Sequence, residues 1–358
     1  MRSIITRVWM LVCIAMLYSG QGAFAQADSV ARTTVSGFVD VYYAYAFSRP
    51  PSRERSYTTQ PLRHHEFNLN LAMIDLKHQS TGVRGRFAFQ TGTYVQSNYA
   101  IEQQLLKSIL EASVGAEIIN GLWIDAGIFP SHIGFEGILS RDNWTYSRSL
   151  AADYSPYYEA GVSISAPLTD RLSVRALLLN GWQNIQETNH DKAVGTQVQF
   201  KPSTDVLLNW STFIGNEQPD TSASQLRIFN DLYAQLSLSE KLSLALWFDI
   251  GLQKQKQGTS YDSWHTGTAI LRYVLHPQWS VSMRGEYYTD KRGVIIPTGT
   301  PENFQTASGS VNLDFAASPN VLWRLELRLF SSKDKIYPSE AGPKSTDGFL
   351  AASAAISF

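Results

Sequence analysis

The sequence predicts an all-β protein: an antiparallel transmembrane β-barrel of about sixteen strands, with short periplasmic turns and longer external loops. Three observations carry that expectation. Apolar and polar residues alternate with a period of two over many long segments. Short and long connections alternate along the chain. An export leader opens the sequence, and no apolar run after it is long enough for a membrane helix.

The leader comes first. Arg2 and Arg7 give a positive start, and Val8 to Tyr18 is almost unbroken apolar sequence. That stretch has about 11 residues, short of the roughly 20 a helix needs to span a bilayer. Ala23-Phe24-Ala25 then supplies a small-x-small cleavage site, so Ala25 and Gln26 flank the expected cut. Residues 1–25 are read as the leader and 26–358 as the barrel. Cys13 is preceded by Val12, where a lipidation site would carry a small residue, so a lipoprotein is not expected. Cys13 is the only cysteine and leaves with the leader, so disulfides cannot stabilise the exported chain. A membrane crossing made by strands must close on itself, because backbone groups in hydrocarbon need internal partners.

The strands follow from the alternation. In Val321 to Leu329 the odd positions are apolar, while Arg324, Glu326 and Arg328 share the other face. Leu242, Leu244, Leu246, Phe248 and Ile250 oppose Lys241, Ser243 and Asp249 in the same way. Trp279, Val281 and Met283 oppose Ser280, Ser282, Arg284 and Glu286; Val83, Gly85, Phe87 and Phe89 oppose Arg84, Arg86 and Gln90. Over the first half this places strands near 33–47, 66–79, 82–95, 109–120, 121–129, 157–167, 170–183 and 191–202. The second half adds 204–216, 226–239, 241–254, 262–275, 278–290, 303–317, 320–332 and 348–358. A change of phase between Met73 and Ile74 is read as a β-bulge.

Between these strands, short turns fall at Ser80-Thr81, Asn120-Gly121, 167–170, 201–204, 239–241, His276-Pro277 and 318–320, all rich in turn formers. Longer polar connections lie at 48–65, 96–108, 130–156, 184–190, 217–225, 255–261, 291–302 and 333–347. An even strand number puts both chain termini on the periplasmic side. The last strand alternates through Leu350, Ala352, Ala354 and Ile356 to a terminal Phe358, the form of signal the barrel-assembly machinery reads. A secreted β-sandwich also alternates, but its strands average about 5–6 residues. The segments here are about twice as long.

Composition excludes several classes. Loss of Arg2 and Arg7 with the leader takes the net charge from −1 to about −3, so nucleic acid is not an expected partner. Tyr (17) and Trp (9) are abundant, as expected of rings placed at membrane–water boundaries.

Several segments resemble one family. Ser36-Gly37-Phe38-Val39-Asp40-Val41-Tyr42-Tyr43 opens the first strand, and Gln90-Thr91-Gly92-Thr93-Tyr94-Val95 with Asn98-Tyr99 closes the third. Trp123 to Glu136, reading WIDAGIFPSHIGFE, is followed by Arg148-Ser149-Leu150 and Ser155-Pro156-Tyr157-Tyr158. Together these resemble the OmpL-like outer-membrane β-barrel porins of Bacteroidota-type bacteria, with the specific part in residues 36–162. The resemblance implies a passive channel in the outer membrane of a Gram-negative bacterium. Its partners would be outer-membrane lipid, the assembly machinery and small hydrophilic solutes. Sixteen-stranded porins are commonly homotrimers, which carries a trimer over by analogy.

About sixteen strands enclose a lumen wide enough for water. Charges of both signs should face it: Asp40, Arg84, Arg86, Glu111, Glu117, Asp125, Glu159, Arg175, Asp249, Arg272, Arg284, Glu286, Asp314, Arg324, Glu326 and Arg328. No ring of one sign dominates, so strong ion selectivity is not expected, and pairing across strands is an equal reading of these charges. The longest connection, 130–156, carries His132, Glu136, Arg141, Asp142, Arg148 and Asp153, and is the candidate constriction loop. A more selective sugar or oligopeptide channel would use Trp144, Tyr146, Tyr154, Tyr157 and Tyr158 as a path. A structural or adhesive barrel is the third reading. His64-His65-Glu66 and the His132/Glu136 spacing are too sparse to predict a metal site. With no G-x-S-x-G motif or phosphate loop, neither enzyme activity nor a cofactor is expected.

Overall fold

The computed structural model describes residues 31–358; the leader and its cleavage point lie outside them. Sixteen antiparallel strands form one closed barrel. They are β1 (Arg32–Ala46), β2 (Phe67–Ser80), β3 (Val83–Thr91), β4 (Ile109–Ile119), β5 (Leu122–Pro130), β6 (Tyr158–Thr169), β7 (Leu172–Leu179) and β8 (Ala193–Ser203). The second half comprises β9 (Val206–Asn216), β10 (Leu226–Ser237), β11 (Leu242–Lys254), β12 (Tyr261–His276), β13 (Trp279–Asp290), β14 (Phe304–Ser318), β15 (Val321–Ser332) and β16 (Thr346–Ser357). Every strand pairs with its sequence neighbours, and β16 pairs with β1 to close the ring. No edge is left to template pairing with another chain.

The expected alternation holds where it was strongest. Trp323, Leu325, Leu327 and Leu329 face outward and are exposed to the lipid side, while Arg324, Glu326 and Arg328 are buried inside. Trp279 and Met283 face out, and Ser280, Ser282, Arg284 and Glu286 face in. At the seam, Phe358 exchanges backbone hydrogen bonds with Gly37 (2.8 and 3.0 Å). Its ring covers Gly37 so closely that a Cβ there would lie 2.4 Å from it.

Three expectations need correction. The bulge in β2 sits at Asn70, not between Met73 and Ile74: Asp40 pairs with Leu71 and Val41 with Leu69, leaving Asn70 as the extra residue. The phase therefore changes earlier, and Leu71 and Met73 are buried on the inner face. The third strand ends at Thr91, not Val95, and Thr93–Asn98 is a short helix, α1. Gly92 makes the break at φ +136°, where a side chain would meet the Asn70 carbonyl oxygen at 2.2 Å. The seventh strand stops at Leu179, short of Gln183. Beyond it Glu217 accepts from the Trp182 backbone N–H (2.9 Å) and draws the chain into a turn.

Several of the long connections fold inward over the core, the one between β5 and β6 most deeply, while those at 217–225 and 255–260 stay largely exposed. Two clusters of buried apolar residues lie inside the barrel at loop level. One joins Phe213, Phe229, Trp264, Tyr288, Phe304, Phe330, Tyr337 and Phe349. These rings come from inward positions of the wall and from the loop after β15, so the outer half of the lumen is lined as a protein core is.

Candidate functional site

The connection between β5 and β6, residues 131–157, runs into the barrel. It holds a 3₁₀ turn (Ser140–Asp142) and a single helical turn, α2 (Leu150–Asp153), capped by Ser149. Its main chain is held by side chains of the wall. Arg284 on β13 donates to Thr145 Oγ1 (2.8 Å) and to the Ser147 carbonyl (2.7 Å). Arg324 on β15 donates to the carbonyls of Ser140 (2.5 Å) and Asn143 (2.9 Å), and Arg328 to that of Arg148 (2.7 Å). Carboxylates take the loop's N–H groups: Glu326 accepts from Ser147 N (2.6 Å) and Glu286 from Leu150 N (2.6 Å). On the far side of the seam, Ser140 Oγ donates to Asp40 on β1 (2.8 Å). The wall charges are paired with each other as well: Arg324 with Asp314, Arg328 with Glu286, and Arg284 with Glu286 and Glu326. The ion pairs thus double as hydrogen-bonding groups for a loop whose two short turns leave much of its backbone to be satisfied from outside.

Within the loop, the Arg148 guanidinium lies 4.2 Å from the ring centres of both Tyr94 and Tyr157, and donates to the carbonyls of Gly137 and Ile138. Glu136 accepts from the Ser149 N–H and hydroxyl (2.8 and 2.5 Å). Burial pushes its carboxyl up from the ordinary range, against the opposing pull of Arg284. At the loop's root, His132 Nδ1 faces Glu159 at 3.0 Å and Nε2 faces the Thr212 carbonyl at 2.8 Å. Burial alone would lower the imidazole pKa; the Glu159 carboxylate and the Thr212 carbonyl outweigh it and hold it above its ordinary value. Gln197 and Ser211 also donate to the His132 carbonyl, so one residue ties the loop to β6, β8 and β9. At its tip, Arg141 reaches the carbonyl of Pro319 in the β14–β15 turn (2.9 Å), beside Asp142. Asp153 accepts from Thr59 of the first long loop (2.5 Å). The segment therefore crosses the whole depth of the barrel.

The other half of the wall is different. Beneath the loop root, β2 to β7 line a cavity of about 500 Å³. Arg84 pairs with Asp125, and Arg86 bridges Asp75 and Glu111, yet these arginines keep contact with solvent. Of the residues expected in the lumen, His132, Glu136, Arg141, Asp142, Arg148 and Asp153 lie in the inserted loop. Arg284, Glu286, Arg324, Glu326 and Arg328 hold it, and Arg84, Arg86 and Asp125 lie across from it. The aromatic path read in the loop is not open: Tyr146 and Tyr158 are fully buried and Tyr157 nearly so. Sequence reading missed the inward aromatics Phe213, Phe229, Trp247 and Trp264, because they stand at inward positions among polar residues such as Arg227, Asp231 and Asp249.

A sixteen-stranded barrel with a charged lumen and an inserted loop is the architecture of an outer-membrane diffusion channel. Residues 32–358 match the family described as putative beta-barrel porin-2, OmpL-like, and the chain belongs to that family. It is an outer-membrane porin of a Gram-negative bacterium. Solved structures share the fold at low identity. The anion-selective porin of Comamonas acidovorans aligns with TM-score 0.64 at 10% identity, over 92% of this chain and 100% of that one. The outer-membrane channel DcaP of Acinetobacter baumannii gives 0.63 at 10%, over 93% and 99%. The trimer form of OmpT from Vibrio cholerae gives 0.61 at 6%, over 92% and 99%. No curated protein matches the sequence.

Proposed function

We propose that this porin is a passive, non-catalytic channel for small hydrophilic solutes, with residues 131–157 as its constriction. The observation that carries the reading is the division of the lumen. The loop is bonded to β13, β14 and β15 along its length, while the β2–β7 side keeps partly exposed charges and a cavity. Water and small solutes would pass on that side. His132, Glu136, Arg141, Asp142, Arg148 and Asp153 shape the narrowing, Arg284, Glu286, Arg324, Glu326 and Arg328 hold it in place, and Arg84, Arg86 and Asp125 line the path. The likeness to a trimeric OmpT form supports a homotrimer. Phe358, exposed at the seam, supports recognition by the assembly machinery. The test is single-channel conductance of the purified protein in a planar bilayer, with neutral solutes of graded size. Small solutes should lower the conductance and large ones should not.

One observation favours a second reading, a structural barrel without transport: almost every inward residue of β9 to β16 is buried. A barrel of that kind would insert and give no current.

A further inference from the structure

The charges around the 500 Å³ cavity are balanced in number across the wall and unbalanced at its surface. Lys77, Arg84, Arg86 and Arg175 line the cavity, and only two carboxylates, Glu111 and Asp125, line it with them. The remaining partners stand behind. The Asp75 side chain is 2% exposed, whereas Lys77 and Arg86, which share it, are 54% and 26% exposed. Arg84 is 40% exposed against 15% for Asp125. Glu159 is fully buried and faces His132, so its charge is directed away from the path. Among the described residues Arg175 forms no ion pair: its guanidinium donates to Ser163 Oγ (2.6 Å) and lies over the Phe129 ring. The cause is side-chain length. An aspartate on the wall ends close to the backbone, while arginine and lysine on the same face extend past it and carry their charge towards the axis.

We infer that the path along β2–β7 presents a cationic surface and that the channel prefers small anions, carboxylates and inorganic phosphate among them, over cations of the same size. This rests on the channel reading and adds the sign of the permeant ion. The selectivity is moderate, because each exposed cation but Arg175 has a carboxylate behind it. A mean potential of about half of kT/e would enrich chloride over potassium by roughly threefold.

The test is the zero-current potential of the full-length exported protein in a planar bilayer under a potassium chloride gradient. The expected result is a chloride-to-potassium permeability ratio of roughly three. The double variant Lys77→Gln, Arg175→Gln should bring the ratio down to about one or below. These two positions are chosen because neither leaves a buried carboxylate alone: Asp75 keeps Arg86, and Arg175 has no carboxylate partner. Retention of the barrel is checked by its β circular dichroism and heat-modifiable gel mobility. A non-selective or cation-selective wild type overturns the inference, as does a double variant that folds and keeps the wild-type ratio. Current without anion preference leaves the channel reading standing and removes this one. Inserted protein that passes no current removes both.

Discussion

The β13–β15 side of the barrel and the β2–β7 side carry the same kind of sequence, inward arginines interleaved with acids, and put it to different uses. On the first side, Arg284, Glu286, Glu326 and Arg328 have side chains with no solvent exposure. On the second, Arg84 and Lys77 are about half exposed. The difference is the polypeptide laid over the first side. There the guanidinium groups complete their hydrogen bonding on main-chain carbonyls of residues 140–148, and desolvation of each charge is offset by a partner on two sides. On the open side water does that work. Charge pattern in a barrel wall therefore says where the lumen is, and only the loop decides whether a given charge is structural or available to a solute.

Removing the loop should break the distinction most completely. Deletion of residues 137–152 should expose the β13–β15 ladder to water and raise single-channel conductance severalfold; unchanged conductance would show that the loop does not limit the path. The ladder's own pairing should keep the barrel folded. Next in size is Arg284→Met, which leaves Glu136, Glu286 and Glu326 short of a buried cation. The expected loss is about 3–5 kcal/mol, read from denaturant unfolding in detergent micelles. A smaller effect should come from pH. His132 titrates above its ordinary value, so its charge stabilises the loop root fully below about pH 6.5 and loses that contribution as the pH rises through the raised pKa. Wild-type current should become noisier at alkaline pH, and His132→Gln should show that noise at every pH. The smallest change is expected from Lys77→Gln, whose half-exposed ammonium contributes within about 0.5 kcal/mol; thermal unfolding should move little while selectivity shifts.

The sequence made the barrel legible because its outer face is read by one solvent throughout. Strands such as Val321–Ser332 show a clean period of two, and the turns between hairpins carry Gly, Pro, Asn and Ser. The candidate loop was legible from its length and charge. What it touches was not. Arg324 and Ser140 are 184 residues apart, and nothing local marks them as partners. The aromatic core was hidden for a related reason. Phe229, Tyr233 and Trp247 face a lumen that loops have made partly apolar, so rings interrupt the inward row of Arg227, Asp231 and Asp249 where a simple pore would be polar. The Asn70 bulge was found three residues away, since Leu71 and Met73 look lipid-facing until the inserted loop is there to cover them.

Ser140 has one more consequence, for assembly. Its hydroxyl is bound to Asp40 on the first strand and its carbonyl to Arg324 on the fifteenth, while β16 lies between those two strands. A residue far from both chain ends thus clasps the two neighbours of the final strand from within. It can hold both only when the N- and C-terminal strands are already at their native separation, so docking of the inner segment and zipping of the last seam are completed as one cooperative event.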